Sequence, residues 1–424
     1  MTKVLSIAVA CGLAFPAMAL AQDVMVEEDV ETVVVDTVET TDPPPTPAIE
    51  EVPPPKVAAD DMTEEYAGDE PAEESSLIDG LSWQIMASAF YNFNGYRRSG
   101  TYNNLGYPYT NYMGFGVNFV GGMVAYTGEK WGVVVDLRWG TGAPLLTPLN
   151  PVKQGYASWL PTEKLSIDVG FFDTIYGAEV ADEWENANYS RGALYFLRQP
   201  FNHMGVRMGT ELSDAVGFTF MVTNGGVLGG TPVDLDNQVP ALGWQFSFAP
   251  GDVFGLYIGG NHAPSSSNEN KDWEHFFDVV LSVSVDWFTL LFNGDYQINP
   301  FVSNGLLPPE NVTAFAFGHS LALIFDVSDK VSIGLRGENL SGNDNQRNLV
   351  DSFGGLTTGT ITLRYKPAEY LVLSLEGRGE WTTRNTYFSR NAPIETDADG
   401  LETVIADRDK YYSIILGISG HIGN

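Results

Sequence analysis

From Leu81 onward, apolar and polar residues alternate with a period of two. Leu81, Trp83, Ile85, Ala87, Ala89, Tyr91 and Phe93 share one parity; Ser82, Gln84, Ser88, Asn92 and Asn94 hold the other. The pattern returns at Trp131, Val133, Val135, Leu137 and Trp139 against Gly132, Asp136, Arg138 and Gly140. It returns again at Val331, Ile333 and Leu335 against Ser332, Arg336 and Glu338. Successive side chains of a strand point to opposite faces, so each run predicts a strand with one apolar and one wet face.

The connections are as regular as the strands. Short polar turns recur at Gly128–Lys130, Pro161–Lys164, Glu211–Asp214, Pro250–Asp252, near Asp286, at Asp326–Lys330 and at Pro367–Tyr370. Between them lie long polar segments, roughly 95–112, 141–150, 174–202, 224–240, 261–272, 298–313, 341–355 and 382–409. Seven short turns and eight long loops join sixteen strands. An even count brings both ends to one side, with short turns there and long loops opposite, as in outer-membrane barrels. The fold class predicted is therefore all-β: a closed antiparallel transmembrane β-barrel of 16 strands over residues 80–424.

A soluble β-sandwich is the alternative, its apolar faces turned into a shared core. Against it, Trp131, Trp139, Trp159, Tyr365, Trp381 and Tyr412 fall near strand ends with outward parity, as interfacial girdles require. Past residue 21 no apolar run reaches the 18 residues or so that a spanning helix needs. A closed barrel is the arrangement of strands that pairs every backbone group inside a bilayer.

Residues 1–21 read as an export signal. Lys3 is followed by the apolar stretch Val4–Phe15, then Pro16 and the small-residue site Ala19-Leu20-Ala21. Cleavage there starts the mature chain at Gln22 and removes Cys11, the one cysteine, which suits an oxidising envelope compartment. Residues 22–79 carry 19 acidic residues and one basic one, Lys56, with proline runs at 43–45 and 53–55. Such a stretch buries too little apolar surface to fold alone and reads as a disordered acidic periplasmic tether, the alternative being a segment that binds a basic partner or enters a pore. The formal net charge of −32 repels phosphate and argues against nucleic acid as a partner.

The stretch Gly177-Ala178-Glu179, then Asn188-Tyr189-Ser190-Arg191, then Pro200-Phe201-Asn202-His203-Met204-Gly205-Val206-Arg207, then Val222-Thr223-Asn224-Gly225 resembles the OmpL-like β-barrel porins. The resemblance is sharpest over 177–225 and extends loosely over 81–424. It implies an outer-membrane channel of a Gram-negative bacterium, its substrate usually undefined. Many barrels of that compartment end in an aromatic residue; this chain departs, ending Ile422-Gly423-Asn424.

Loop 174–202 is the most informative segment. It follows the fifth strand, where general sixteen-stranded porins fold a loop into the lumen. It carries Glu179, Asp182, Glu183 and Glu185, with Trp184 and Tyr189 as candidate apolar anchors. It reads either as a constriction loop or as an exposed acidic loop. Arg336, Arg364 and Arg378 share lumen parity on three successive late strands, among Glu338, Glu376 and Glu380; Arg138 and Arg207 share that parity earlier. Arginine facing lipid is costly, so inward orientation is nearly forced. These arginines read as rungs of a wall-supporting Arg–Glu ladder, as a basic wall opposing the acidic loop across the narrowest point, or as both.

Enzyme readings are weak. The five histidines have no metal spacing, and His319 and Ser320, adjacent on a strand, point to opposite faces. Glu395, Asp397, Asp399 and Gly400 approach a calcium-loop spacing, but Ala406 stands where the bidentate Glu belongs, so a solvated acidic loop is preferred. The expectation is a porin passing small hydrophilic solutes, in contact with outer-membrane lipid, without a cofactor, a homo-oligomer left open. The alternative is a structural or adhesive barrel with an occluded lumen.

Overall fold

The computed structural model describes residues 80–94, 105, 113–143, 149, 151–228, 239–264, 272–304, 310–396 and 402–423. The export signal expected over 1–21 and the acidic tether expected over 22–79 lie outside them. Eighteen strands are present among the described residues: β1 (Leu81–Asn94), β2 (Gly114–Thr127), β3 (Trp131–Trp139), β4 (Val152–Thr162), β5 (Leu165–Asp173), β6 (Asn202–Ser213), β7 (Val216–Thr223), β8 (Ala241–Phe248) and β9 (Phe254–Pro264). The remainder are β10 (Trp273–Val285), β11 (Phe288–Ser303), β12 (Asn311–Ser328), β13 (Val331–Gly342), β14 (Leu356–Ala368), β15 (Leu371–Thr382), β16 (Ile394–Thr396), β17 (Glu402–Val404) and β18 (Lys410–Gly423).

Sixteen of these close one antiparallel barrel, each pairing with its sequence neighbours from β1 to β15, and β18 pairing with both β15 and β1. The seam between first and last strands runs from Gln84 opposite Gly423 to Asn94 opposite Ser413. The short β16–β17 hairpin stands apart, inside the last long loop. Closure removes both sheet edges, so among the described residues every barrel strand has a paired neighbour on each side.

The parity read from sequence is the parity of the wall. On β1, Met86, Ser88, Phe90 and Asn92 are buried inward, whereas Ile85 and Phe93 are exposed outward. Trp131, Trp159 and Tyr365 face out near the short-turn end, and Trp139, Trp381 and Tyr412 face out near the other. Trp131 and Trp159 stack with centroids 6.2 Å apart, and Trp381 meets Tyr412 edge-on at 5.8 Å. Eight strand steps separate Trp131 from Trp139, a height of about 20 Å once a tilt of ~40° is counted, most of the ~25 Å apolar band of such barrels.

Three strands outrun the loops expected from sequence. β9 continues to Pro264, β11 to Ser303, and β12 starts at Asn311, leaving shorter connections than 261–272 and 298–313 imply. Above the lipid band a hairpin needs no apolar face, so these strands continue where the alternation has already stopped.

Candidate functional site

Segment 174–201 joins β5 to β6, and it folds back into the lumen. At its root Tyr176 is buried; its Oη donates to the Gly260 carbonyl at 2.6 Å and accepts from the Trp244 N–H at 3.2 Å. Gly177, at φ +92°, turns the chain inward in a conformation that side chains rarely adopt, and a Cβ there would strike the Gln199 amide. The Gly177 N–H then donates to Asp278 of β10 and the Ala178 N–H to Asn293 of β11, both at 3.1 Å.

Beyond this point the segment's backbone is held by charged side chains of the wall. Glu376 accepts from the N–H groups of Tyr189 and Ser190 at 2.8 and 3.1 Å, and from the Ser190 hydroxyl. Glu338 accepts from the N–H groups of Ala193 and Leu194, both at 3.0 Å, where the six-residue helix α1 (Ala193–Arg198) begins. On the acceptor side, Arg364 donates to the carbonyls of Trp184 and Asn186, Arg336 to that of Ser190 at 2.7 Å, and Arg378 to that of Arg191 at 2.7 Å. An irregular chain inside a lumen loses water around its peptide groups, and each unsatisfied one costs about 1–3 kcal/mol. The wall Arg and Glu residues supply the missing partners.

The segment's own acids meet cations directly. Glu179 lies 2.5 Å from Arg336, Asp182 2.6 Å from Arg138, and Glu183 3.3 Å from Arg191 of the same segment. Of the two readings of these arginines, supporting pairs and a basic wall opposing the acidic loop, the contacts are of the paired kind: these charges touch, and in contact they largely cancel one another's field. Burial alone would raise the Asp182 carboxyl, but Arg138, with Lys153 and Arg191 behind it, holds it below the usual carboxylate range. Glu185 is the exception among the four. No cation of the described residues lies within ion-pair distance of it, and its side chain reaches lumen water. Enclosure by the surrounding protein, and then the Asp182 charge, push its carboxyl up to about 7.

The two aromatics expected as anchors are both buried. Trp184 stacks on His421 of β18 with centroids 4.7 Å apart. Tyr189 packs with Phe90 and Ile415, and its Oη donates to the Ala89 carbonyl at 3.0 Å. Two glycines give the segment room: a Cβ at Gly334 would lie 1.9 Å from the Ala187 carbonyl oxygen, and one at Gly417 2.4 Å from the Tyr189 ring.

The structure thus brings together Glu179, Asp182, Glu183, Arg138, Arg336, Arg364 and Arg378. Arg207 stands apart: it pairs with Asp168 at 2.9 Å and lies over the Phe172 ring at 4.6 Å. Arg378 also pairs with Glu380 at 2.7 Å. Sequence reasoning missed Arg191 as an internal counter-ion, the Lys153 pairing with Asp173 and Asp136, and the two glycines. Arg191 lay inside the quoted Asn188–Arg191 motif, but nothing in its spacing pointed to Glu183.

Two apolar clusters flank the segment. One gathers Leu194, Tyr195, Phe196, Leu340, Phe353 and Tyr387; the other gathers Phe172, Tyr176, Met221, Val227 and Phe276. From the segment toward the short-turn end runs a cavity of ≈ 620 Å³, bounded by Glu185, Tyr257, Arg364 and Lys366 among others. A neighbouring space of ≈ 560 Å³ shares Ile175, Gln245 and Tyr257 with it and includes Arg207. Among the described residues no three His, Cys, Asp or Glu side chains are grouped to hold a metal ion. Asp397, Asp399 and Gly400 lie outside those residues. His319 faces outward with Nε2 2.9 Å from the Tyr296 Oη, while Ser320 is buried on the opposite face.

A family model described as "Putative beta-barrel porin-2, OmpL-like" matches residues 80–405. No curated protein matches the chain. Among solved structures, OmpF of Salmonella typhi in complex with daunomycin aligns at 13% identity and TM-score 0.50, covering 81% of this chain and 98% of that one. The anion-selective porin from Comamonas acidovorans aligns at 9% identity and TM-score 0.49, with 81% and 98% covered. OmpT of Vibrio cholerae aligns at 12% identity and TM-score 0.48, with 81% and 97% covered. At these identities the likeness is one of fold.

Proposed function

We infer, from the premise that the chain belongs to the OmpL-like family of β-barrel porins, a passive diffusion channel for small hydrophilic solutes or ions. A porin barrel of this family lies in the outer membrane. One observation carries the finer reading: a segment of the chain crosses the lumen and is bonded to the charged wall by both its N–H and its carbonyl groups. Inside a barrel, such a segment narrows the water path without a separate plug domain. The residues that set the constriction are Glu179, Asp182, Glu183 and Glu185 of the segment, with Arg138, Arg336, Arg364 and Arg378 of the wall. Arg207 acts nearer the short-turn mouth. Residues 1–21 serve as a cleaved export signal and 22–79 as a periplasmic tether. Assembly as a homo-oligomer fits the size class. The reading is of a channel, not an enzyme.

Planar-bilayer recording of the full mature chain tests this. Discrete, roughly ohmic current steps are expected. A bilayer that takes up folded barrels, shown by heat-modifiable migration in SDS, yet stays silent would end the open-channel reading.

A second reading is favoured by the two apolar clusters that flank the segment: a lumen closed until the segment shifts. It calls for near-zero conductance in the wild type and current once the segment is displaced.

A further inference from the structure

Near the short-turn end, the cavity beneath the inserted segment departs from the polar lining usual in a porin lumen. Val280, Leu291, Ala322 and Ile324 have lumen parity on β10, β11 and β12 and line it, Leu291 directly opposite Ala322, with Ser282, Thr289, Asn293 and Ser320 interleaved. The outward neighbours Leu281, Leu290, Leu321 and Leu323 are apolar as well, so Leu321–Phe325 is an unbroken apolar run. Lipid contact requires only the outward half of that run. The inward half puts apolar surface against lumen water, a feature that pays off when something apolar covers it.

The same cavity holds two cations with no carboxylate in contact. Among the described residues, the lumen cations Arg138, Lys153, Arg191, Arg198, Arg207, Arg336 and Arg378 each have a carboxylate within 4.0 Å. Arg364 and Lys366 line the cavity without one. Arg364 is buried, and its guanidinium gives one N–H from each terminal nitrogen to a backbone carbonyl, which does not offset its charge. Lys366 is exposed. Asp326, also exposed, lines the same corner, leaving two cations against one acid. Glu185 borders the cavity too, on the inserted segment, where its electrostatic neighbours are Asp182, Lys153 and Arg138.

We propose that this cavity is a binding subsite for a small amphipathic carboxylate, its anionic group toward Arg364 and Lys366 and its apolar group along Val280, Leu291, Ala322 and Ile324. The proposal rests on the porin reading in one respect, that the cavity belongs to the solute path. A space of ≈ 620 Å³ is ample for a phenyl or short alkyl acid.

The probe is 4-phenylbutyrate, with acetate and 4-phenylbutanol as its separate halves. Two measurements on the full mature chain are made: block of single-channel current, and saturation-transfer NMR with protein in nanodiscs. Phenylbutyrate is expected to act at concentrations about tenfold below either half, the equivalent of about 1.4 kcal/mol. Lys366→Gln and Ile324→Ser should each weaken it about three- to tenfold, and Asp326→Asn should strengthen it. Each variant is first checked for heat-modifiable migration in SDS, and all three residues lie outside the bonds that hold the inserted segment. NMR transfer with this pattern but no current would leave the subsite standing and remove the porin reading. Current without saturation transfer, equal action by acetate, or variants indistinguishable from wild type would overturn the subsite.

Discussion

Arg138 of β3 and Asp182 of the inserted segment meet at 2.6 Å, with Arg138 held on its other side by Asp136 at 2.7 Å. The guanidinium is buried and the Asp182 carboxylate half-buried, so the pair ties the segment to the wall largely away from water. A buried charge left with no partner costs about 3–5 kcal/mol, and Asp182→Asn should cost less than that because Asp136 still holds Arg138. Asp182→Asn is therefore expected to loosen the segment and tilt permeation toward anions, because Arg138 keeps its charge and loses one carboxylate. The reversal potential in a potassium chloride gradient reads this, and current noise should rise with it. An unchanged reversal potential would remove Asp182 from the constriction. Because its carboxyl lies below the usual range, this tether persists through mildly acidic pH and is lost only as pH falls through that depressed value.

The second expected outcome is steric. A Cβ at Gly334 would sit 1.9 Å from the Ala187 carbonyl oxygen, so Gly334→Val should lift the segment off β13 with no change of charge. Gly337, on the opposite face of the same strand, has nothing within 4 Å of its Cβ position, and Gly337→Ala should be silent. Larger conductance in the first variant alone, with both barrels intact by heat-modified migration, is the result expected. Equal conductance in both would mean that the segment does not limit current.

Much of this arrangement was legible in the sequence, and the part that was not has a common cause. Period-two parity alone turned Arg336, Arg364 and Arg378 inward, because each strand's outward face must be apolar. Turn spacing returned the sixteen-strand closure, and Trp184 and Tyr189 stood out as the large apolar side chains of an acidic loop. Periodicity, however, carries no information about where an irregular segment docks. Contacts between residues 146 to 187 positions apart, such as Ser190 with Arg336 and Tyr189 with Glu376, have no local signature. Hence the direct pairing of Glu179 with Arg336, and the clearance left by Gly334 and Gly417, emerged only in three dimensions. The apolar lumen track on β10–β12 was hidden for a related reason: an unbroken apolar run is read first as the lipid face.

The wall makes its own prediction. Ile361 faces outward near mid-height of β14 and is 56% exposed. Ile361→Arg places a guanidinium in the apolar band, at about 2–4 kcal/mol near the midplane. The variant should lose heat-resistant migration in SDS at a distinctly lower temperature than wild type. A barrel indifferent to this change would mean that β14 does not face lipid.

The last prediction concerns pH. Glu185 is the segment carboxylate without an ion pair among the described residues, and enclosure followed by the Asp182 charge raises it to about 7. Its folded value lies above that of an ordinary carboxylate. The stability it contributes is therefore full below the ordinary range and lost as pH rises through about 7. For permeation the sign runs the other way in charge: a negative lumen group appears above that pH and vanishes below it. Lowering the pH from about 8.5 to about 5.5 should therefore shift the reversal potential toward anions, with the midpoint near the Glu185 titration. Glu185→Gln should flatten the profile and hold it at the acidic limit. Asp182, held below the usual carboxylate range by Arg138, should contribute little over the same interval. A titration that survives Glu185→Gln unchanged would place the sensing group elsewhere and withdraw Glu185 from the pore.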